Sequence, residues 1–294
     1  MIIVKMQGGL GNQMFQYAFG KQLAAQSGTN LKLDLNPLLD RKPRANFVFR
    51  NYDLSIFNLE VDIASEEDVS NIIGENAFYR QILRLSNKIL PLKYQKYYSE
   101  PYFHYNQEVV KLSGNVYTEG YWQSYKYFQD VEADLRKDFT FKSGILKQSE
   151  NLLARIVNAK SVCLNVRRTD FVSHSLHGTI GVSYYQNAIS FLESKIGHNF
   201  EIFIFSDDIE WCKSNLHFKQ PVEFVSHEHK GEKFGNYLSL MIACSHFVIP
   251  NSSFAWWAAF LNNNDNKIVI APKKWFNGVR KNTKDLLPKD WIQI

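Results

Sequence analysis

The sequence predicts an α/β protein made of two facing Rossmann-like domains, each built on a parallel sheet. Its 294 residues suffice for two ordinary domains. The chain opens with a strand–helix–strand pattern, and from residue 161 onward apolar strands alternate with helices. Both patterns are typical of parallel sheets. We therefore predict an N-terminal domain over residues 1–155 and a C-terminal domain over residues 156–294.

The N-terminal domain begins with a strand over residues 2–6, which a tight glycine-rich loop follows. Asn12 is the expected N-cap of the next helix, and Gly28 is expected to end that helix. Alternating leucines then predict a second strand over 31–35. Farther along, the clearest prediction is one helix near 65–90.

The C-terminal domain shows a regular rhythm of strands and helices. Ser183 is expected to cap its first helix, and Gly197 is expected to end it. The predicted strands are 161–166, 201–205, 222–225, 246–249 and 267–271, and the predicted helices are 183–196, a short one from 207, 233–244 and 254–261.

Composition narrows the function classes. The net charge of +5 and the pI near 8.9 suit an anionic substrate, an acidic membrane surface or nucleic acid. The basic residues are scattered, so we expect no nucleic-acid partner. The chain start lacks a signal-peptide pattern and no apolar run could span a membrane, which predicts a cytoplasmic protein. Cys163, Cys212 and Cys244 are expected to be reduced thiols, two of them buried.

Polar residues follow three of the predicted strands, at the point where each strand ends. Each cluster alone is commonplace, because arginine pairs are usually surface charge and Asn-Ser-Ser is usually a helix cap. The carboxyl ends of parallel strands share one edge of the sheet, where ligands of such folds bind. We therefore expect one site lined by Arg167, Arg168 and Asp170, by Asp207 and Asp208, and by Asn251, Ser252 and Ser253.

The chemistry of these residues suits a diphosphate. Arginine offers a rigid fork of donors that stays charged at any working pH. The N–H groups and hydroxyls at a helix start add donors, and the helix dipole favours negative charge there. Fixed cations of this kind can stabilise the charge that develops on a departing pyrophosphate, and can so replace a divalent metal.

No metal site is predicted. The chain contains no Asp-x-Asp pair, the usual carboxylate arrangement that holds a metal on a nucleotide sugar. The only close histidine pairs in the sequence are His174 with His177 and His227 with His229. We therefore expect activity without a metal cofactor.

Five segments resemble the bacterial type of the α-1,2-fucosyltransferase family, glycosyltransferase family 11. Residues 8–18 (GGLGNQMFQYA) resemble its amino-terminal signature, and residues 166–170 (VRRTD) resemble the His-x-Arg-Arg-x-Asp motif shared by several fucosyltransferase families. Residues 205–212 (FSDDIEWC) and 251–259 (NSSFAWWAA) are similar to two later blocks, and 120–124 (GYWQS) is similar to a bacterial block. The blocks come in family order and span most of the chain.

The resemblance implies a GT-B-type fold, GDP-fucose as the donor, inversion at the fucose carbon and no required metal. It further implies transfer to the 2-hydroxyl of a terminal β-galactose, in an oligosaccharide or a lipid-linked glycan. A lipid-linked acceptor adds the expectation of a peripheral contact at the inner face of the membrane. Neither the exact acceptor nor the oligomeric state follows from it.

The resemblance also implies roles on the donor side. Arg167 would bind the β-phosphate and stabilise the departing GDP, while Arg168 and Asp170 would support the same pocket. Asp170 is also the candidate for a catalytic base. Ser252 and Ser253 would contact phosphate, next to Asn251.

Asp207 or Asp208 would hold the nucleoside or brace the arginine pair. Asn165 stands where the motif usually has histidine. Both side chains can hydrogen-bond, but asparagine cannot become cationic at neutral pH. A guanine contact therefore survives this change, whereas a proton-transfer role does not.

On the acceptor side, the resemblance places Gly9, Asn12 and Gln13 opposite the sugars. Tyr121 and Trp122 are candidate stacking platforms for the acceptor, and core packing is the equally weighted alternative for them.

Two other function classes stay open. Gly9-Leu10-Gly11 follows a strand and opens a helix, and Asp34 ends the next strand, which mimics the fingerprint of nicotinamide-dependent oxidoreductases. Met14 occupies the third glycine position, where close helix–sheet packing requires a small residue. The second class is a non-catalytic module that binds a sugar, a nucleotide or nucleic acid, which the pI and the 15% aromatic content allow.

Overall fold

The computed structural model describes residues 1–42, 48–87, 89–168, 178–276 and 281–294, with the side chain of Ala77 left out. These residues form two compact units. Unit 1 comprises Met1–Thr140 and Asn282–Leu287, and unit 2 comprises Phe141–Lys281 and Pro288–Ile294. The units divide after Thr140, whereas the sequence placed the boundary after residue 155. Residue 155 lies inside the helix Glu150–Asn158.

Unit 1 is built on a five-stranded parallel sheet with the order β3-β2-β1-β5-β4. Strands β1 to β5 are Ile2–Lys5, Leu31–Asp34, Asp62–Ile63, Tyr97–Ser99 and Val116–Glu119. Helices α1 to α5 are Leu10–Ser27, Asn36–Leu39, Glu66–Ile73, Ala77–Ser86 and Glu132–Asp138.

The helix ends of unit 1 depart from prediction in two places. Gly9, not Asn12, is the N-cap of α1, and Asn12 lies in the first turn. Gly28 ends α1 in the left-handed conformation, as predicted. The single helix predicted near 65–90 is two helices, α3 and α4, because Gly74 interrupts it at φ 71° and Asn76 caps a new start by accepting from the N–H of Tyr79.

Unit 2 is built on a six-stranded parallel sheet with the order β11-β10-β9-β6-β7-β8. Strands β6 to β11 are Ser161–Val166, Glu201–Ser206, Val222–Phe224, His246–Val248, Val269–Ala271 and Ile292–Gln293. Helices α6 to α10 are Glu150–Asn158, Val182–Ile196, Ile209–Asn215, Gly235–Ile242 and Ser253–Leu261. Gly181, not Ser183, precedes the first turn of α7.

The two parallel sheets confirm the predicted fold class. Strand β6 is buried along its whole length at the centre of its sheet, as its continuous apolar run predicts. The three cysteines are free thiols, and all three are buried rather than two. None of the helices in the ranges given above is long and apolar enough to cross a bilayer.

Candidate functional site

The strand order of unit 2 defines a point at its carboxyl edge where the chain changes direction. From the central strand β6 the chain adds β7 and β8 on one side, and then β9, β10 and β11 on the other. Ligands of open α/β sheets bind outside the carboxyl ends of the strands at such a point. Arg167 and Arg168 follow β6, and Asn251 to Ser253 follow β9, so two of the three predicted clusters flank this position.

The third cluster clamps the arginines. Strands β6 and β7 pair in step up to Val166 and Ser206, which brings the residues after them side by side. Asp207 Oδ2 lies 3.2 Å from Nε of Arg167, and Asp207 Oδ1 accepts a hydrogen bond of 2.9 Å from the backbone N–H of Arg168. One carboxylate therefore fixes both the side chain of Arg167 and the backbone of its neighbour.

The two arginines differ in their surroundings. Arg168 lies with its guanidinium carbon 3.8 Å from the centre of the Trp211 ring, and its Nε is 3.4 Å from Asp208 Oδ2. Its side chain is 18% exposed, whereas that of Arg167 is 32% exposed. Arg168 is thus held against unit 2, while Arg167 presents more of its charge to solvent.

Trp211 is a site residue that the sequence analysis did not single out. Asp208 caps helix α8 by accepting from the N–H of Trp211 at 3.1 Å. The cap fixes the first turn, and the indole ring then lies under Arg168. An aspartate three residues before a tryptophan at a helix start was the available signal.

Hydrogen bonds from neighbouring elements hold the loop after β9 in place. Asn251 is 3% exposed and donates from Nδ2 to the carbonyl of Trp275 at 3.0 Å. The hydroxyl of Tyr184 lies 2.6 Å from the carbonyl oxygen of Ile249 and 3.1 Å from that of Ile270, which joins the ends of β9 and β10. Tyr184, on α7, is a second anchor that the sequence analysis missed.

Helix α10 begins directly at this anchored loop. Ser252 is its N-cap but makes no capping hydrogen bond through its side chain, and the first turn contains no acidic residue. The hydroxyls of Ser252 and Ser253 and the N–H groups of the first turn therefore lie at the positive end of the helix dipole. This arrangement can bind an anion.

Three buried polar groups lie near the same edge. Asn165 is 8% exposed and donates from Nδ2 to the carbonyl of Phe205 at 2.9 Å, which ties β6 to β7. Tyr185 is fully buried, and its hydroxyl has no hydrogen-bond partner among the residues that the structure describes. Burial raises the pKa of the Cys212 thiol to about 11, so this thiol is neutral at working pH.

The described histidine pair, His227 and His229, makes other contacts. His227 Nε2 lies 2.8 Å from the carbonyl oxygen of Ser206, and His229 Nδ1 lies 2.9 Å from Ser149 Oγ. In the described parts of the chain, no three His, Cys, Asp or Glu side chains come together as a metal site. Asp170 and the pair at 174 and 177 lie outside the described residues.

Unit 1 has a change of direction of its own, between β1 and β5. The glycine-rich loop follows β1, and the segment 120–124 follows β5. Gln16 Nε2 donates to the carbonyls of Gln7 and Gly120 at 3.1 and 3.2 Å, and Gln123 Nε2 donates to Asn12 Oδ1 at 2.7 Å. Two motifs that lie about a hundred residues apart are thus hydrogen-bonded into one edge.

Two expectations for this edge change with the structure. Gln13 is fully buried; its Nε2 donates to the carbonyls of Gly8 and Asn51, and its Oε1 accepts from the N–H of Asp53. It therefore braces the loop instead of presenting its amide to a sugar. Trp122 is also fully buried and stacks on Phe19 at 3.9 Å, so it is a core residue and not a platform.

The other residues predicted for this edge are Tyr121, Asn12 and Gly9. Tyr121 is 40% exposed, and Asn12 is half-buried. Gly9 is approached by the guanidinium of Arg50, which would lie 3.9 Å from a Cβ at this position. Gly8 has φ 78°, and a Cβ there would lie 2.4 Å from Asn12 Nδ2, so the loop requires glycine.

A cavity of about 710 Å³ lies beside this edge, on the face that α3 and α4 cover. It has the size of a small-molecule site. Several of its polar side chains bond to one another: Lys5 Nζ to Glu119 at 2.6 Å, Arg84 to Tyr97 at 2.7 Å, and Tyr117 to Asp34 at 2.7 Å. Among the residues that the structure describes, the lining has five acidic residues and three basic ones, so the cavity is net acidic, unlike the start of α10.

Comparison with known proteins adds a family and several relatives. The model of glycosyl transferase family 11 matches residues 1–294. The chain is 33% identical to an Escherichia coli protein named α-1,2-colitosyltransferase, over 100% of this chain and 99% of that protein. It is 32% identical to the E. coli O-antigen biosynthesis glycosyltransferase WbnK, over 98% and 99% of the two chains. It is 23% identical to galactoside 2-α-L-fucosyltransferase SEC1 of Bos taurus, over 99% and 73%.

Solved structures agree on the fold. The crystal structure of NodZ α-1,6-fucosyltransferase co-crystallized with GDP matches with a TM-score of 0.53 at 13% identity, over 88% of this chain and 92% of that one. A structure of NodZ from Bradyrhizobium gives the same TM-score at 12% identity, over 88% and 93%. The predicted GT-B class is thereby confirmed.

Proposed function

Because the chain belongs to glycosyl transferase family 11, we propose that it is an inverting enzyme that moves L-fucose from GDP-fucose to the 2-hydroxyl of a terminal β-galactose. The observation that carries the donor half is the pair of anion-binding groups at the direction change of unit 2, Arg167 after β6 and the start of α10 after β9. Membership of this family makes the chain a glycosyltransferase, so a nicotinamide-dependent oxidoreductase and a non-catalytic module are no longer alternatives.

Arg167 carries the main catalytic role in this proposal. As the bond between fucose C1 and the β-phosphate oxygen breaks, negative charge accumulates on the departing GDP. The half-exposed guanidinium of Arg167, and the N–H groups and hydroxyls of Ser252 and Ser253, would stabilise that charge. The galactose hydroxyl attacks C1 from the opposite face, which inverts the configuration, and its proton passes to a base, for which Asp170 is our candidate.

The other polar residues of unit 2 position this machinery. Asp207 holds Arg167 and the backbone of Arg168, and Asp208 with Trp211 holds the Arg168 side chain. In the structure both aspartates serve the arginine pair, which favours their bracing role over direct contact with the nucleoside. Asn165 lies beside the pair and remains our candidate for a guanine contact.

The donor is tested by comparing turnover with GDP-fucose, GDP-mannose and UDP-galactose on one acceptor. We expect turnover with GDP-fucose and little with the other two. A purified, folded protein that turns over UDP-galactose and leaves GDP-fucose intact would overturn the proposal.

GDP-colitose is a second candidate donor. The observation that favours it is the E. coli α-1,2-colitosyltransferase, which is 33% identical over the whole of this chain. Colitose lacks the 3-hydroxyl of fucose, so the two donors differ by one hydrogen-bonding group. Sites built to bond a hydroxyl discriminate strongly against the analogue that lacks it. The ratio of kcat/KM for the two donors therefore decides between them.

We place the acceptor at the edge of unit 1 formed by Asn12, Tyr121 and Gln123. Asn12 is half-buried, the Tyr121 ring is exposed, and the buried Gln123 holds Asn12 in position by donating to its Oδ1. NMR of the product tests the linkage. We expect a cross-peak that connects fucose C1 to position 2 of galactose, and a product with fucose on N-acetylglucosamine would refute this assignment.

A further inference from the structure

Exposed apolar side chains concentrate in one segment of unit 1, residues 76–96. In the described part of the chain sixteen large apolar side chains are exposed, and seven of them lie here. Ile89 is 87% exposed and Phe78 is 73% exposed, the two highest values of the set. The seven are Phe78, Tyr79, Ile82, Leu85, Ile89, Leu90 and Tyr94.

The segment presents them on a fixed helical face. Phe78, Ile82, Leu85 and Ile89 are spaced by four, three and four residues, so they follow one side of α4 and its extension. The N–H groups of Ile89 and Leu90 bond the carbonyl of Ser86 at 3.0 and 2.9 Å, which holds both residues at the end of α4.

The opposite side of α4 attaches the helix to unit 1. Leu83 packs against the core cluster around Ile73 and Tyr97, and Arg84 donates to the Tyr97 hydroxyl at 2.7 Å. The apolar face is therefore displayed by an anchored helix and is not a consequence of a loose end.

Basic residues are also concentrated in this segment. Residues 76–96 contain five basic residues and no acidic one, Arg80, Arg84, Lys88, Lys93 and Lys96. Their charge equals the net charge of the whole protein, +5. The acidic and basic residues of the rest of the chain therefore balance, so this segment accounts for the basic excess of the sequence. Lys93 and Lys96 are exposed, whereas Arg84 bonds Tyr97 and Glu119 on the opposite side of α4.

We propose that the 76–96 surface docks the protein on an anionic lipid bilayer. Apolar and aromatic side chains flanked by lysine and arginine are the composition of interfacial helices, whose apolar face enters the headgroup boundary while the charges meet anionic lipids. A second copy of this chain would bring +5 against +5, so charge favours the bilayer over self-association. The inference does not depend on the identity of the donor sugar.

Co-sedimentation of the full chain with vesicles tests the proposal. One set of vesicles is phosphatidylcholine alone, and the other also contains phosphatidylglycerol. We expect the protein to pellet with the anionic vesicles and less so at high salt. The apolar variant Phe78→Ser/Ile89→Ser and the charge variant Lys93→Gln/Lys96→Gln should each weaken binding on the order of ten-fold or more.

Matched controls change the same residue types elsewhere. Val157→Ser removes an apolar side chain that is 63% exposed on α6, and Lys137→Gln/Lys213→Gln removes two lysines whose side chains are 79% and 50% exposed. Both controls should bind vesicles like the parent. All variants should keep the turnover of the parent on a soluble acceptor, which shows that they are folded.

Two results would overturn the proposal. One is a parent protein that stays in the supernatant with anionic vesicles. The other is a parent that light scattering shows to be a dimer and that Phe78→Ser/Ile89→Ser converts to a monomer without a change in vesicle binding, because the surface is then an interface between copies. Loss of sugar transfer in every variant and in the parent would instead count against the proposed function alone.

Discussion

Arg167 and Arg168 are adjacent in the sequence, but the fold gives them different work. Arg168 is fixed by a carboxylate, by an aromatic ring and through its own backbone, whereas Arg167 is paired with Asp207 and remains 32% exposed. The order of polar clusters along the chain predicted where the site lies. It could not predict the pairing of Arg167 with Asp207, because that pairing depends on the register of β6 and β7.

Replacement of Arg167 should reduce turnover more than stability. Arg167→Ala removes a positioned charge next to the leaving group, and such a loss typically costs on the order of 10²–10³ in rate. The Arg167–Asp207 pair is partly exposed, so its loss should lower the free energy of unfolding by only about 0–1 kcal/mol. Arg167→Lys should restore part of the rate, because a point charge lacks the bidentate fork.

Initial rate and thermal unfolding on the same preparation separate the two roles. Lys213→Ala, on the neighbouring helix α8, removes an exposed cation and should leave both quantities unchanged. Arg168→Lys should be milder in rate than Arg167→Ala, since Arg168 positions the loop. A folded Arg167→Ala protein with near-normal turnover would remove this residue from the mechanism.

His246 makes stability depend on pH. It is buried at the start of β9, burial lowers its pKa, and its Nδ1 accepts from the N–H of Ile268 at 3.1 Å. The unfolded chain therefore binds this proton more readily than the folded one. The stabilisation is complete above the unfolded pKa of about 6.5 and is lost as the pH falls below it toward the folded pKa.

Urea unfolding at about pH 7.5 and about pH 5.5 brackets this change. The parent should lose stability at the lower pH. His246→Asn keeps an acceptor for Ile268 but cannot be protonated in this range, so its stability should change less between the two conditions. Equal losses in parent and variant would show that other groups cause the pH dependence.

At the scale of elements, prediction succeeded where a segment carries its own signal. The buried strands of unit 2 read as continuous apolar runs, and Gly28 ended α1 as expected. Strand β5 was missed although it lies beside β1, because Val116–Glu119 has only four residues with neither alternation nor an apolar run, and the strand is defined by its partners. The break at Gly74 was missed because a single glycine inside a helical pattern does not by itself distinguish a helix end from a helix interior.

Helix α1 can approach β1 and β2 closely only at Gly20. A Cβ there would lie 2.6 Å from Val4 Cγ2 and 2.7 Å from Leu31 Cδ1. Alanine is favoured over glycine inside a helix by about 1 kcal/mol, but overpacking a core typically costs about 1–3 kcal/mol. Val4 is fully buried in a central strand, so the cost of overpacking exceeds the gain in helix propensity.

Gly20→Ala should therefore lower the free energy of unfolding by up to about 2 kcal/mol. Gly144→Ala is the matched control, because nothing lies within 4 Å of a Cβ at that position and its stability should stay near that of the parent. Chemical denaturation of the three proteins measures the differences. A Gly20→Ala protein more stable than the parent would show that α1 has room to shift.

At the scale of the whole molecule, the order of segments along the chain differs from their grouping in space. The segment Asn282–Leu287 belongs to unit 1, where Ser124 Oγ donates to the carbonyl of Asp285, although it follows most of unit 2 in the chain. No local sequence pattern predicts that residues 282–287 join unit 1, because their position depends on the residues of unit 1 that they contact and not on their own sequence. The two-domain class was nevertheless predictable, since each sheet carries its own strand–helix rhythm.

Activity should survive chelation of divalent metals. The proposal assigns charge stabilisation to Arg167 and the start of α10, which are permanent features of the protein. Initial rates with excess EDTA should stay within about two-fold of the untreated enzyme, a change too small to reflect loss of a group that stabilises developing charge. Loss of activity that only added Mn²⁺ or Mg²⁺ restores would contradict this expectation.

GDP should protect the two units unequally. Every group assigned to the diphosphate, from Arg167 to Ser253, belongs to unit 2, and the chain has a separate parallel sheet in each unit. A ligand stabilises the state that it binds, by about 2.7 kcal/mol at a hundred times its Kd. Amide hydrogen exchange with saturating GDP should therefore slow most in β6, β7, β9 and the first turn of α10, and less in β1, β2 and β5. NAD at the same concentration should protect neither unit. Protection by GDP confined to unit 1 would move the nucleotide to the glycine-rich loop and reverse the assignment of donor and acceptor sides.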